Sequence, residues 1–360
     1  MRKSLLCLFL ALTLVFAASA PVRAETVRKI GVCADQMSDA ETRAFCEMLK
    51  TFFASQETDD IKYELFFADA GGSADQQKDQ IGNLLKQKLN LILINYLDSA
   101  AVEETAGKLS AAGTPAVLFG RHMIVRDGNE YTAHASVDAL LDQIQGCYVG
   151  GDLRQASLMQ GQILADRPYH GDADQDGVIH YVIIRDSAPR AESRLRTDLS
   201  LRAVGNAGLE AVCLADRGGA EDQEQAKTIF ARMIQEFGVQ IEAVICTHDY
   251  IAAGVAQAIQ EAGAAQAIQE ADAAQADQEA EKAAGVAVNA GICVMGMDGT
   301  EEALQLIREN KIAGTVLIDG TAQERTAQEA ILKILNGEEI QKYYWAEYKI
   351  ITSAYVTNPE

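Results

Sequence analysis

A doubly wound α/β fold, spread over about two domains, is what this sequence predicts. Three observations lead there. Short apolar runs alternate with longer amphipathic segments, as in βαβ units. The runs are continuous in Val, Ile and Leu, which suits parallel strands covered on both faces. The chain of 360 residues is 48% hydrophobic, ample for packed cores and unlike a disordered chain.

The strand candidates, in order, are Lys29–Ala34, Tyr63–Ala68, Leu89–Asn95, Ala116–Phe119, Cys147–Val149, Ile179–Ile184, Gly208–Leu214, Ala243–Thr247, Ile292–Met297 and Thr315–Leu317. Helical segments between them include Ala40–Ala54, Asp75–Lys88, Ser99–Ala112, Asp152–Ala165 and Asp222–Phe237. Ligands of such folds sit at the carboxyl ends of the strands, so residues just after each strand are the candidate site.

The first residues read as a leader. Arg2 and Lys3 precede an apolar run from Leu5 to Ala18, and Val22-Arg23-Ala24 offers a cleavage signal before Glu25. The run is too short and wrongly flanked for a membrane span, so residues 1–24 are predicted to be a cleaved signal peptide. Cys7 lies too early in the run to be a lipoprotein cysteine. A soluble exported protein in a Gram-negative periplasm is the expectation. The formal charge of −21 grows more negative when Arg2, Lys3 and Arg23 leave. That surface repels nucleic acid and anionic lipid, and no later apolar run is long enough to insert in a bilayer. Six cysteines remain, Cys33, Cys46, Cys147, Cys213, Cys246 and Cys293, without a Cys-x-x-Cys pair. All but Cys46 lie in or beside apolar runs, so buried free thiols are expected for most; an oxidising compartment also permits disulfides.

A nine-residue repeat, Ala-Gln-Ala-Ile-Gln-Glu-Ala, starts at Ala256, recurs at Ala265 and, with Asp277 for Ile, at Ala274. Nine residues turn a helix half a revolution past two full turns, so the copies share no packing stripe. Residues 256–284 read as a duplicated, Ala/Gln/Glu-rich extension of a surface helix running to about Lys282, either a partner-docking arm or a duplication that the surface tolerates.

Lys29-Ile-Gly-Val32, Asp79-Gln-Ile81, Pro115-Ala-Val-Leu-Phe119, Tyr148-Val-Gly-Gly-Asp152, Asp174-Gln-Asp-Gly177, Ile241-Glu-Ala-Val-Ile245, Met295-Gly-Met-Asp298 and Ala313-Gly-Thr-Val-Leu317 follow one another in an order that carries a resemblance. With them, nearly the whole mature chain resembles the D-galactose/D-glucose-binding periplasmic proteins of sugar ABC transporters. The resemblance implies the type I periplasmic-binding fold: two Rossmann-like lobes with parallel sheets, joined by a three-strand hinge. Lobe one would take residues 25–145 plus 318–343, and lobe two residues 146–317 plus 344–360. It also implies a binding protein, not an enzyme, that hands a monosaccharide to an ABC transporter permease. A sensory role, docking on a chemoreceptor, shares the fold and stays open.

Carried onto this sequence, the family's pocket places a carboxylate at Asp39, the Arg at Arg196 and the Asp at Asp298, with Glu192 in place of an Asp. Arg190 and His248 join them as ligand-binding candidates, His248 standing where the family has Asn. Both stacking aromatics are replaced, by Glu41 and Glu221, and the family's other Asn positions by Gly120 and Ile318. Tyr96 and Tyr250 are the candidates to restore a ring from another direction. An extra guanidinium at Arg190 suits an anionic sugar, unless it pairs with Glu192 or Glu221.

Asp172-Ala-Asp174-Gln-Asp176-Gly177-Val178 spaces oxygen ligands as the first half of an EF-hand loop does. Position nine is His180 and position twelve Ile183, so the loop does not close itself. In the family a remote Glu closes a calcium site, and Glu242 matches that place. Two readings stand, a structural calcium site held by Asp172, Asp174, Asp176, the Val178 carbonyl and Glu242, or a solvated acidic turn. The five histidines, His122, His134, His170, His180 and His248, form no metal or triad motif, and no Gly-x-Ser-x-Gly or P-loop is present, so no catalytic residues are expected.

Overall fold

The computed structural model describes residues 25–97, 100–120, 124–127, 130–133, 135–167, 171–187, 191–275 and 291–357. The expected leader at 1–24, Arg121, His122 and Arg190 lie outside them.

In chain order the elements are β1 (Thr26–Ala34), α1 (Ala40–Ser55), β2 (Ile61–Asp69), α2 (Ala74–Leu85), β3 (Leu91–Ile94), α3 (Ala100–Ala112), β4 (Ala116–Phe119), β5 (Ile124–Asp127), β6 (Glu130–Ala133), α4 (Ala135–Gln143) and β7 (Gly146–Gly151). There follow α5 (Leu153–Ala165), β8 (Val178–Asp186), α6 (Ala191–Asn206), β9 (Glu210–Ala220), α7 (Gln223–Phe237), β10 (Ala243–Cys246), α8 (Asp249–Gln275), β11 (Cys293–Met295), α9 (Glu301–Arg308), β12 (Gly314–Ile318), α10 (Gly320–Asn336), β13 (Tyr343–Ala346), β14 (Tyr348–Thr352) and α11 (Ser353–Thr357).

Two six-stranded sheets result. The first runs β13-β7-β4-β3-β1-β2 and is parallel throughout. The second runs β14-β12-β11-β10-β8-β9, with β14 antiparallel to β12. The period of two along each strand divides each sheet's apolar residues between two layers of helices. In the first sheet Leu91 and Leu93 pack with Phe45 and Phe53 of α1 and Ile331 of α10, whereas Ile92 and Ile94 pack with Ile81 of α2 and Leu109 of α3. In the second, Val244 faces Phe230 and Val255, and Ile245 faces Ile163 and Val204. Edge strands break the buried run. Most of β9 is exposed, and Cys213 on it is an exposed thiol rather than the buried one expected, while the other five free cysteines are buried.

The expected lobe limits are early by one strand. Both β7 (Gly146–Gly151) and β13 (Tyr343–Ala346) pair within the first sheet, so residues 146–151 and 344–346 belong to lobe one. The chain therefore crosses between Gly151 and Leu153, between Ile318 and Gly320, and between Ala346 and Tyr348. The last strand, β14, ends at Thr352, and α11 follows from Ser353. An antiparallel hairpin of β5 and β6 was not among the expected strands. Its Tyr131 packs on Leu195 and Leu199 of α6, in the second lobe, and donates to Asp198 at 2.5 Å.

Helix α8 absorbs the start of the nine-residue repeat. Ala256 and Ala258 of the first copy are buried against the second sheet's core, but the helix is exposed or half-buried from Gln260 to Ala264. The helix is described to Gln275; the rest of the expected extension lies outside the described residues.

Two buried glutamines fix loops at strand ends. Gln77 of α2 donates to the Asn95 carbonyl at 2.7 Å and accepts from the Leu97 N–H at 3.1 Å. Gln160 of α5 donates to the carbonyls of Cys246 and Gly296 at 2.8 and 2.9 Å and accepts from the Ser200 hydroxyl at 2.8 Å. Each is fully buried, so each amide satisfies backbone groups that water cannot reach.

Candidate functional site

The carboxyl ends of both sheets face one cleft of about 400 Å³. Lobe one supplies Asp35 just after β1, Asn95 after β3, Phe119 and Gly120 at the end of β4, and Asp39, Thr42 and Phe45 from the start of α1. Lobe two supplies Asp186 at the end of β8, Glu192, Ser193 and Arg196 of α6, His248 after β10, and Met297 and Asp298 after β11. The crossings add Gly151, Leu153, Ile318 and Tyr348.

Five of the six expected ligand-binding residues, Asp39, Glu192, Arg196, His248 and Asp298, line this cleft. Arg190 is outside the described residues. Asp298 is the hub of lobe two's wall. It accepts from Arg196 Nη1 at 3.2 Å and meets His248 Nδ1 at 2.9 Å. Arg196 also donates to the Thr247 carbonyl. Burial pushes the Asp298 carboxyl up, but the His248 hydrogen bond and the Arg196 charge outweigh it and hold the carboxyl below its usual value. Behind His248, the Tyr250 ring stacks at 5.4 Å, and its hydroxyl donates to the Ala220 carbonyl. Beneath lies Asp249, 1% exposed, accepting from Thr315 at 2.7 Å and from the Thr300 N–H at 2.8 Å. Its burial pushes that carboxyl up to about 6, against the Thr315 hydrogen bond.

Asp39 does two jobs. It is the N-cap of α1, accepting from the Thr42 N–H at 2.8 Å, and it faces the cleft. The carboxylate nearest the sheet is instead Asp35, which accepts from Thr42 Oγ1 at 3.1 Å and Asn95 Nδ2 at 2.9 Å. Asp35, Asn95 and Asp186 escaped the sequence reading, although each directly follows or ends a strand, where a strand-end rule finds it. Gly120 permits the Asn95 side chain: with φ at +77°, a Cβ there would stand 2.7 Å from Asn95 Nδ2. Neither Tyr96 nor Tyr250 lines the cleft; its rings are Phe45, Phe119 and Tyr348. Tyr348 reaches in because Gly151 lacks a Cβ, which would meet the ring at 2.4 Å. Glu221 is exposed and away from the lining.

At the far end of lobe two, carboxylate oxygens of Asp172, Asp174 and Asp176 come within 4.8 Å of one another. Asp172 Oδ1 is buried and has no hydrogen-bond partner, while Oδ2 accepts from the Gly177 N–H at 2.9 Å. Glu242 does not join that trio. Its Oε1 accepts from the Ala173 N–H at 2.6 Å and its Oε2 from the His180 N–H at 2.7 Å, so it anchors the loop's backbone. The Val178 N–H donates to Asp176 at 2.8 Å.

Asp298 has φ at +119°, a conformation that costs an L-residue with a side chain. Asp298→Gly is therefore expected to be more stable than Asp298→Ala by about 1 kcal/mol, since both lose the same carboxylate and only glycine relieves the backbone. Urea unfolding of the two variants checks this, and equal midpoints would contradict it.

A family profile described as periplasmic binding protein domain matches residues 37–339. The chain is 24% identical over 279 residues to a D-galactose/methyl-galactoside binding periplasmic protein of Haemophilus influenzae, covering 76% of this chain and 73% of that one. It is 23% identical over 289 residues to a ribose import binding protein of Bacillus subtilis, covering 80% and 77%. Its fold superposes with a TM-score of 0.65 on an ABC transporter solute binding protein from Bacillus halodurans with bound myo-inositol, at 19% identity over 94% of this chain and 98% of that one. Two mainly parallel sheets, three crossings and a cleft between their strand ends are the frame into which that profile falls, and the chain belongs to the periplasmic binding protein domain family.

Proposed function

We propose that this chain is an exported binding protein that captures a monosaccharide, with galactose or glucose the first candidates, and delivers it to an ABC transporter permease. The observation that carries the reading is the composition of the cleft. Carboxylates, an amide, hydroxyls and a guanidinium converge from two sheets on a volume of about 400 Å³. That size suits one small ring, and those groups accept from and donate to its hydroxyls in turn. The relatives named for galactose and ribose, and the neighbour holding myo-inositol, are proteins for cyclic polyols and support the same class of ligand. Phe45, Phe119 and Tyr348 take the place of the missing stackers as apolar faces for the ring. Arg196 and Asp298 orient hydroxyls, and His248 holds Asp298 in place. Export through the leader at 1–24 puts the protein in the periplasm, where a permease can be met.

Calcium is the proposed structural ion. Asp172, Asp174 and Asp176 fit it, because an unpartnered buried carboxylate oxygen beside two more carboxylates is a site for a hard cation. These three and the Val178 carbonyl would hold the ion, and Glu242 would brace the loop from below. Its effect would be to stiffen the loop entering β8, far from the cleft.

Two measurements test these readings. In a thermal-shift screen of neutral hexoses, pentoses, cyclic polyols, sugar acids and sugar phosphates, at least one monosaccharide class is expected to raise the melting temperature. A response confined to amino acids or peptides would overturn the sugar reading. Millimolar calcium is expected to raise melting on the order of 5 °C over excess chelator, the shift of a ligand near a hundredfold its Kd. Asp174→Ala should abolish that rise, and identical melting of the parent protein in calcium and chelator would refute the site.

A further inference from the structure

A non-covalent connection joins the two lobes besides the three crossings. The β5–β6 hairpin stands between β4 and α4 in the chain, and both of those pack in lobe one. Its Tyr131, however, is 5% exposed against lobe two, in a cluster with Leu195 and Leu199 of α6 on which Leu153 also packs. The hydroxyl donates to Asp198 of the same helix at 2.5 Å. The Tyr131 carbonyl accepts from Arg154 Nη1 at 3.3 Å, and that guanidinium also grips both oxygens of Asp152, at the first crossing, from Nε and Nη2. The ring, hydroxyl and carbonyl of this residue thus each find a partner in lobe two or at the hinge.

The cluster borders the cleft. Leu153 belongs to both. Glu192, which lines the cleft, lies three residues before Leu195 and seven before Leu199, so one face of α6 carries all three. Arg196 follows Leu195 on the adjoining face. Turning lobe two about the crossings carries α6 away from β4 and α4. Tyr131 must then leave its seat, which bares the Tyr131, Leu195 and Leu199 side chains and breaks a hydrogen bond to a carboxylate. Both effects oppose opening.

We propose that Tyr131 is an interlobe latch: seated on α6, it favours the closed arrangement of the lobes in the absence of ligand and positions Glu192 and Arg196 over the cleft. Tyr131 itself does not line the cleft, so it acts through α6 as a positioning residue. A larger closed fraction raises the apparent affinity of any ligand gripped by both lobes. The latch goes beyond the sugar reading and does not depend on it.

Small-angle X-ray scattering of the mature chain, dialysed free of ligand, tests the latch without a sugar. Tyr131→Ala is expected to give a larger radius of gyration and maximum dimension than the parent, with the same far-UV circular dichroism. Tyr131→Phe keeps the ring seated and loses only the hydroxyl bond. Its closed-to-open ratio, fitted from the scattering, should fall about tenfold, as loss of a hydrogen bond to a charged group gives. Tyr131→Phe decides the matter should Tyr131→Ala fail to fold. Superimposable curves for the parent and the folded variant, whether both compact or both extended, would overturn the latch while leaving the sugar reading intact. A hairpin that merely stiffens its own lobe would give that result.

Discussion

The rest of the structure depends on one constraint: three chain crossings, at Gly151–Leu153, Ile318–Gly320 and Ala346–Tyr348, hold two sheets with their carboxyl ends turned toward each other. In a parallel sheet every strand delivers its last residue to the same edge. Facing two such edges gathers Asp35, Asn95 and Gly120 opposite Asp186, His248 and Asp298 without any of them being near in sequence. The crossings themselves enter the site through Gly151 and Tyr348, so the hinge and the binding surface are the same residues in part.

Polar groups at such an edge are costly unless fixed, and each is fixed from behind. Gln77 and Gln160, on the helices that back the two sheets, tie down the loops that follow β3, β10 and β11. Asp249 holds Thr300 and Thr315 beneath Asp298, and Asp298 keeps a positive φ that the surrounding bonds maintain. Strain held this way at a ligand-facing residue is the usual mark of a preorganised site. Across the cleft the same role falls to the Asp35–Thr42–Asn95 cluster, which couples the first turn of α1 to the ends of β1 and β3.

Most of the architecture was legible because parallel strands covered on both faces leave an unmistakable apolar run. All ten strand candidates correspond to strands of the two sheets, and five helices begin within a residue of their caps or expected starts. What escaped lacks that signature. The strands of the β5–β6 hairpin are four residues each, too short for a clear apolar run, and their sign in the sequence is the Gly128-Asn129 pair between them. The lobe limits at 145 and 343 cut off β7 and most of β13, yet β7 pairs with β4 and β13 with β7, which ties both to lobe one, a fact of pairing that one sequence does not carry. Cys213 sits in an apolar-looking run that is an edge strand, and edges are exposed whatever their composition. For the site, Arg196 and Asp298 were legible through the resemblance. Asp35 was hidden by Asp39, four residues on, which fills the family's place as a helix cap while Asp35 holds the position next to the sheet.

The claim that a ligand is gripped between the carboxyl ends of both sheets is tested most directly by hydrogen–deuterium exchange. It is measured with and without whichever sugar stabilises the protein most. Slowed exchange is predicted at the segments around Asp35–Thr42 and Asn95 in lobe one, and around Asp186–Arg196, Thr247–Asp249 and Met297–Gly299 in lobe two, with the amino ends of the same strands unaffected. Protection confined to one lobe, or appearing at the opposite ends of the sheets, would contradict the account.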